Sequence, residues 1–166
     1  MPHHSSRAVD TTDGVKWRQP SALRALVVGA ALSVLLLVGL PVGMLLDHVA
    51  TMASVLRSRP DLPPAHRGFA FAAVIGYTAV FHGVAVVLVA WFTAKTWSGR
   101  RWARIALSSY LVTASVLGLL SATADTPFLI VVVVTDAIHL IMLGLLWLPP
   151  SVRSYFQSGR ASFGPE

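Results

Sequence analysis

Four long apolar stretches divide this chain, and charged residues stand almost entirely between them. Ala25–Leu46 and Ile105–Ala124 carry no charge at all. Gly68–Ala94 is interrupted by His82 alone among strongly polar residues, and Thr126–Val152 by Asp136 and His139. A helix needs about 20 apolar residues to cross a hydrocarbon core of roughly 30 Å, so each stretch is long enough to span. None shows the alternation of a barrel strand, and only helices or closed barrels satisfy their backbone groups in lipid. The pattern therefore predicts an all-α membrane protein, an up-down bundle of four transmembrane helices over about 22–46, 69–93, 102–122 and 128–148.

The connections sharpen this picture. Asp47–Arg67 is the longest. Within it Val49, Met52, Ala53 and Leu56 recur at helical spacing, which predicts a short interfacial helix to about Ser58 on the external side. Pro60, Pro63 and Pro64 then predict an extended, stiff segment. Asp47, His48, Asp61 and His66 in this connection have no metal-ligand spacing and read as a solvated loop. Lys95–Arg104 is a short basic-aromatic linker that forces an antiparallel return, and 121–127 is a tight external turn. Pro149-Pro150 ends the fourth helix. Residues 1–20, polar and with little to bury, read as a disordered cytoplasmic tail. Residues 151–166 read as a second cytoplasmic tail, with Tyr155 and Phe156 as anchors at the membrane interface.

Composition rules out the soluble alternative. Charged residues make up 12% of the chain, against about 25% in soluble domains, and mean hydropathy is +0.68. The absence of cysteine excludes disulfides, thiol redox chemistry and Cys-ligated metal sites. Of the 13 Lys and Arg, ten flank the first run on its N-terminal side or follow the second and fourth: Arg7, Lys16, Arg18, Arg24, Lys95, Arg100, Arg101, Arg104, Arg153 and Arg160. Only Arg57, Arg59 and Arg67 lie on the other side. The positive-inside rule then places both termini in the cytoplasm. Trp17, Trp91, Trp97, Trp102 and Trp147 fall near the same basic side, where indoles favour the interface. The basic charge is a topology and anionic-lipid signal. Its division among three segments argues against nucleic acid as a partner.

Small residues mark two packing stripes, Ala25/Gly29/Ser33 in the first helix and Ala114/Gly118/Ala122 in the third, where neighbouring backbones approach closely. Gly39-Leu40-Pro41-Val42-Gly43 should loosen the outer third of the first helix.

His82, Asp136 and His139 are the candidate functional residues, with Thr78 one turn from His82 and Thr135 beside Asp136. At 1.5 Å per residue the two histidines lie at nearly one depth, close to the midplane. Asp136 and His139, three apart, share a helix face. The second and fourth helices are diagonal in a square bundle, so inward polar faces would converge on its axis. An Asp at this depth costs about 2.5–3.5 kcal/mol on insertion scales, so it is protonated or paired. Four readings stay open. They are interhelical hydrogen bonding in a non-enzymatic interaction or accessory protein, a proton or cation carrier, bis-histidine ligation of haem b, and binding of a lipid or small molecule. No catalytic motif and no metal motif such as H-E-x-x-H is present, so no enzyme activity and no further cofactor are expected. The expected partners are the lipid bilayer and other membrane proteins or further copies of the chain.

The linker Trp97-Ser-Gly-Arg-Arg-Trp-Ala-Arg104 and the exit Leu146-Trp-Leu-Pro-Pro-Ser-Val-Arg-Ser-Tyr-Phe156 resemble those of small, uncharacterised four-span integral membrane proteins of high-GC bacteria. The likeness covers about residues 20–157. It implies a bacterial inner membrane and brings no catalytic residues with it.

Overall fold

The computed structural model describes residues 20–124 and 129–158. The predicted tail over 1–20, apart from Pro20, lies outside them, as do residues 125–128 and 159–166; the first four residues of the predicted 121–127 turn are helical instead. Among the described residues six α-helices follow one another: α1 (Ser21–Leu46), α2 (His48–Ser58), α3 (Arg67–Trp97), α4 (Arg101–Ala124), α5 (Leu129–Trp147) and α6 (Pro150–Ser158). A 3-10 turn, Pro64–His66, leads into α3. α1, α4, α5 and α3 with its 3-10 lead-in are long and apolar enough to cross a membrane. α1 packs on α3 and α5, and α4 packs on the same two, so the four form a ring in which α3 and α5 lie across from each other.

Local sequence explains the boundaries. Asp47 starts α2 by accepting the Ala50 N–H at 2.9 Å. Pro60 and Asp61 turn the chain, closed by the Leu62 N–H on the Arg59 carbonyl at 3.2 Å, so this segment is not simply extended. His48 leaves its loop to lie against Phe71, ring centroids 4.2 Å apart. α1 continues through Pro41. α3 runs to Trp97, one turn beyond the predicted end at 93, and finishes in a Schellman motif. There the Arg100 N–H reaches the Lys95 carbonyl at 3.2 Å and the Gly99 N–H reaches Thr96 at 2.9 Å. Gly99 adopts φ 76°, and the Tyr155 ring packs 3.5 Å from where its Cβ would stand.

The sequence reading missed α6. Pro149-Pro150 does end α5, but Pro150 also opens a new helix, a position proline favours because its missing N–H has no intrahelical role there. Val152 and Phe156 are buried in one core with Leu23, Leu26, Ala30, Val89, Leu107, Leu111, Met142 and Leu146. Phe156 is thus a core residue rather than an interface anchor. Three polar contacts reinforce the docking. Arg101 Nε donates to the Phe156 carbonyl at 2.8 Å, the Tyr155 hydroxyl donates to the Trp97 carbonyl at 2.9 Å, and Arg153 Nε donates to the Trp147 carbonyl at 3.0 Å.

The interior is uneven. Among the described residues, every buried position of α3, α4 and α5 lies in the half nearest α6, and in α1 the same holds except for Met44. Toward the α2 end the inward residues are only half-buried: Leu36, Leu37 and Leu40 on α1, Val74 and Thr78 on α3, Gly118 on α4, Val132 and Thr135 on α5. Met44 is covered where α2 folds back, and the buried Thr51 hydroxyl donates to its carbonyl at 2.9 Å.

The first small-residue stripe enters this core in part. A Cβ on Gly29 would stand 2.8 Å from Met142 Cγ, and Ser33 Oγ lies 3.8 Å from Met142 Sδ. Ala25, by contrast, is exposed. Steps of four residues overshoot a 3.6-residue turn, so such a stripe drifts around the helix. The buried face follows Leu23, Leu26, Ala30 and Ser33 instead. In the second stripe Ala114 and Gly118 are half-buried; the side chain of Ala122 lies outside the description. A Cβ on Gly118 would meet Val132 at 3.5 Å and Asp136 Oδ1 at 3.7 Å, which is ordinary contact. Gly118 therefore faces α5 side chains, Val132 nearest and Asp136 next, with space for a methyl group.

Candidate functional site

The polar residues singled out in the sequence sit at the boundary between the closed and loose halves of the bundle. On α3 the inward stripe is Thr78, His82, Ala85, Val89, Thr93 and Thr96, half-buried at its first two positions and buried thereafter. On α5 it is Val132, Asp136, His139, Met142 and Leu146, and burial begins at His139. His82 and Asp136 thus lie one turn above the last closed layer, on facing sides of the ring.

Their partners are mostly local. His82 Nδ1 donates to the Thr78 carbonyl of its own helix at 2.8 Å, and its ring meets Phe81 edge-on at 5.9 Å. That bond leaves Nε2 facing away from the helix backbone. Thr135 likewise donates to the Val131 carbonyl at 2.8 Å. Only the α5 pair reaches another helix. His139 is 3% exposed, and its Nδ1 lies 3.2 Å from Ser115 Oγ on α4. Asp136 sits one turn away beside Gly118. His139 Nε2 and Asp136 Oδ2 are both buried without a hydrogen-bond partner. No hydrogen bond joins His82 to either of them, and no group of three metal-ligating side chains occurs among the described residues. The geometry therefore builds an Asp136–His139–Ser115 seam between α4 and α5, with His82 at a matching level on the opposite wall.

Ser115 was not among the residues read from the sequence. Its one legible signal is register: it lies one turn past Leu111 on the buried stripe of α4. A second polar constellation, at the α6 end, was also missed. Arg104 lies over the Trp147 ring at 3.9 Å and near Phe156 at 5.3 Å. Trp147 Nε1 donates to Ser108 Oγ at 2.8 Å, and Ser108 in turn donates to the Arg104 carbonyl at 2.9 Å. Away from both, an open groove of about 430 Å³ runs between α2 and α3, lined by Val55, Leu62, Ala70 and Val74 with Arg59 on its rim.

Chemically, the seam can hold a proton or accept a hydrogen-bond donor. It offers a carboxylate oxygen and an imidazole nitrogen that nothing in the bundle satisfies, a costly condition in a low-dielectric interior. Comparison of the chain with protein-family models, curated proteins and solved structures finds no match.

Proposed function

We propose that this chain is an up-down tetraspan protein of a bacterial inner membrane, with both termini in the cytoplasm, α2 at the external interface and no catalytic activity of its own. It serves as an accessory subunit whose partner is another transmembrane helix, from a different membrane protein or a second copy. One observation carries this reading: the bundle interior is closed only in its α6 half, while the α2 half keeps inward residues partly uncovered. A further helix seated there would complete the packing by van der Waals contact, the force that drives association in lipid. The ten-to-three division of basic residues supports the orientation.

Single cysteines in this cysteine-free chain test both parts. Asp61→Cys in intact spheroplasts should react with a membrane-impermeant maleimide, and Ser98→Cys should react only after lysis. Reaction of both from one side overturns the orientation. Leu40→Cys and Thr78→Cys should react several-fold more slowly with a lipid-soluble maleimide in native membranes than in the purified protein. Equal rates in the two preparations overturn the partner.

A second reading is favoured by the unsatisfied groups. Buried Asp136 Oδ2 and His139 Nε2 suit a proton or cation carrier. His82 and His139, each with Nδ1 engaged and Nε2 unclaimed, suit axial ligation of haem b. On the carrier reading, proteoliposomes should show proton flux that Asp136→Asn abolishes. On the haem reading, the purified protein should carry a Soret band that His139→Ala removes. A colourless protein without flux leaves the accessory role alone.

A further inference from the structure

We infer that the α6 end of the bundle holds the phosphate of an anionic lipid headgroup, gripped by Arg101, Arg104 and Arg153. The inference rests on the membrane-spanning character of the helices and not on orientation or on a partner helix.

Three arginines meet where α4, the end of α5 and α6 come together. Arg101 and Arg104 share Phe156 as a neighbour, and Arg104 and Arg153 share Trp147. Such convergence is unfavourable unless an anion sits among them. The described residues supply none. Among the described residues the carboxylates are Asp47 and Asp61 at the α2 end and Asp136 in mid-bundle. The α6 end also carries Arg24, Lys95 and Arg100.

The three guanidinium groups are held in place rather than left to wander. Arg101 and Arg153 are each fixed through Nε to a backbone carbonyl, of Phe156 at 2.8 Å and Trp147 at 3.0 Å. That leaves the terminal amino groups, the pair that suits a phosphate edge, directed away from the bond. Arg104 lies over the Trp147 ring, and its Nε is buried with no partner. Planar guanidinium groups fixed by packing lose little freedom on binding, and they match phosphate oxygens bidentately.

Depth selects a lipid over a free anion. Trp91, Trp97, Trp102 and Trp147 gather at this end, the level at which indoles meet headgroups. The surface beside the arginines is apolar and open: Trp102 is 47% exposed, Ile105 59% and Leu148 73%. Acyl chains can lie on that wall while the phosphate reaches the arginines, a combination that a soluble phosphate cannot use. The ordinary alternative, three solvated arginines serving only as a topology signal, does not account for two bonds through Nε and a third guanidinium over an indole with its Nε buried.

The full-length protein in neutral detergent, titrated with phosphatidylglycerol, phosphatidylcholine or inorganic phosphate, tests the assignment through tryptophan fluorescence and thermal unfolding. Phosphatidylglycerol should bind at least about tenfold more tightly than phosphatidylcholine and raise the unfolding temperature, as expected when charge-assisted bonds are gained. Arg104→Gln should remove most of that preference. Arg153→Lys, which keeps the charge and loses the bidentate fork, should weaken it. Arg67→Gln at the opposite end should leave it intact. Equal binding of the two lipids overturns the site. Binding of inorganic phosphate as tight as phosphatidylglycerol shows a small-anion site and overturns the lipid. A preference that survives both Arg104→Gln and Arg153→Lys overturns the residue assignment.

Discussion

Gly29→Leu will sharply lower the thermal stability of the bundle in detergent, whereas Gly39→Leu ten residues further along the same helix will not. The difference lies in what each new side chain meets. A Cβ at position 29 would stand 2.8 Å from Met142 Cγ and 3.2 Å from its sulfur, while position 39 has nothing within 4 Å. Met142 is fully buried in the core that joins α1 to α5. A methionine can swing aside for one methyl group, so Gly29→Ala should be mild. Leucine adds a branched end that pushes Met142 off Ser33 and forces the helices apart. Overpacking of this kind costs about 1–3 kcal/mol in compact cores, and more where backbones are in close approach. The Gly39 variant controls for the change in helix propensity. Equal unfolding temperatures for the two leucine variants would mean that α1 does not pack on α5 through Gly29.

Phe156→Ala should release α6 from the bundle. Phe156 is 3% exposed and, with Val152, forms the apolar side of a helix whose other residues are polar or only partly covered. Truncating a buried phenylalanine costs about 3–5 kcal/mol in well-packed cores. A nine-residue helix has little stability of its own, so it cannot stay ordered without that contact. Hydrogen exchange over 150–158 should rise to that of an unstructured segment, and trypsin should cut after Arg153. Protection that persists would mean α6 is held by the lipid interface instead of by the core.

The membrane-spanning helices were legible because a charge-free stretch in lipid has one structural solution. Their ends were legible to within a few residues, except α3, which runs one turn further before the Schellman motif at Gly99 stops it. α6 was hidden because a double proline reads as a stop, although Val152, Tyr155 and Phe156 already carry helical spacing. The depth of the polar residues could be counted along the chain. Which helix each one faces could not be. The bond from His139 to Ser115 and the approach of Asp136 to Gly118 depend on the rotation of α4 against α5. That rotation is fixed by packing of the whole bundle, and no short stretch of sequence encodes it. The three-arginine constellation has the same origin, since Arg101 and Arg104 are brought to Arg153 only when α6 docks.

That docking also sets an order of assembly. The closed core draws Leu23 and Leu26 from the first of the described helices and Val152 and Phe156 from the last. During synthesis the opening segment must therefore wait in the bilayer until the closing one has left the ribosome. A chain interrupted between Trp147 and Val152 reaches the membrane with its spans complete but its core unsealed, and its arginine-rich face uncovered to whatever cellular machinery removes unfinished proteins.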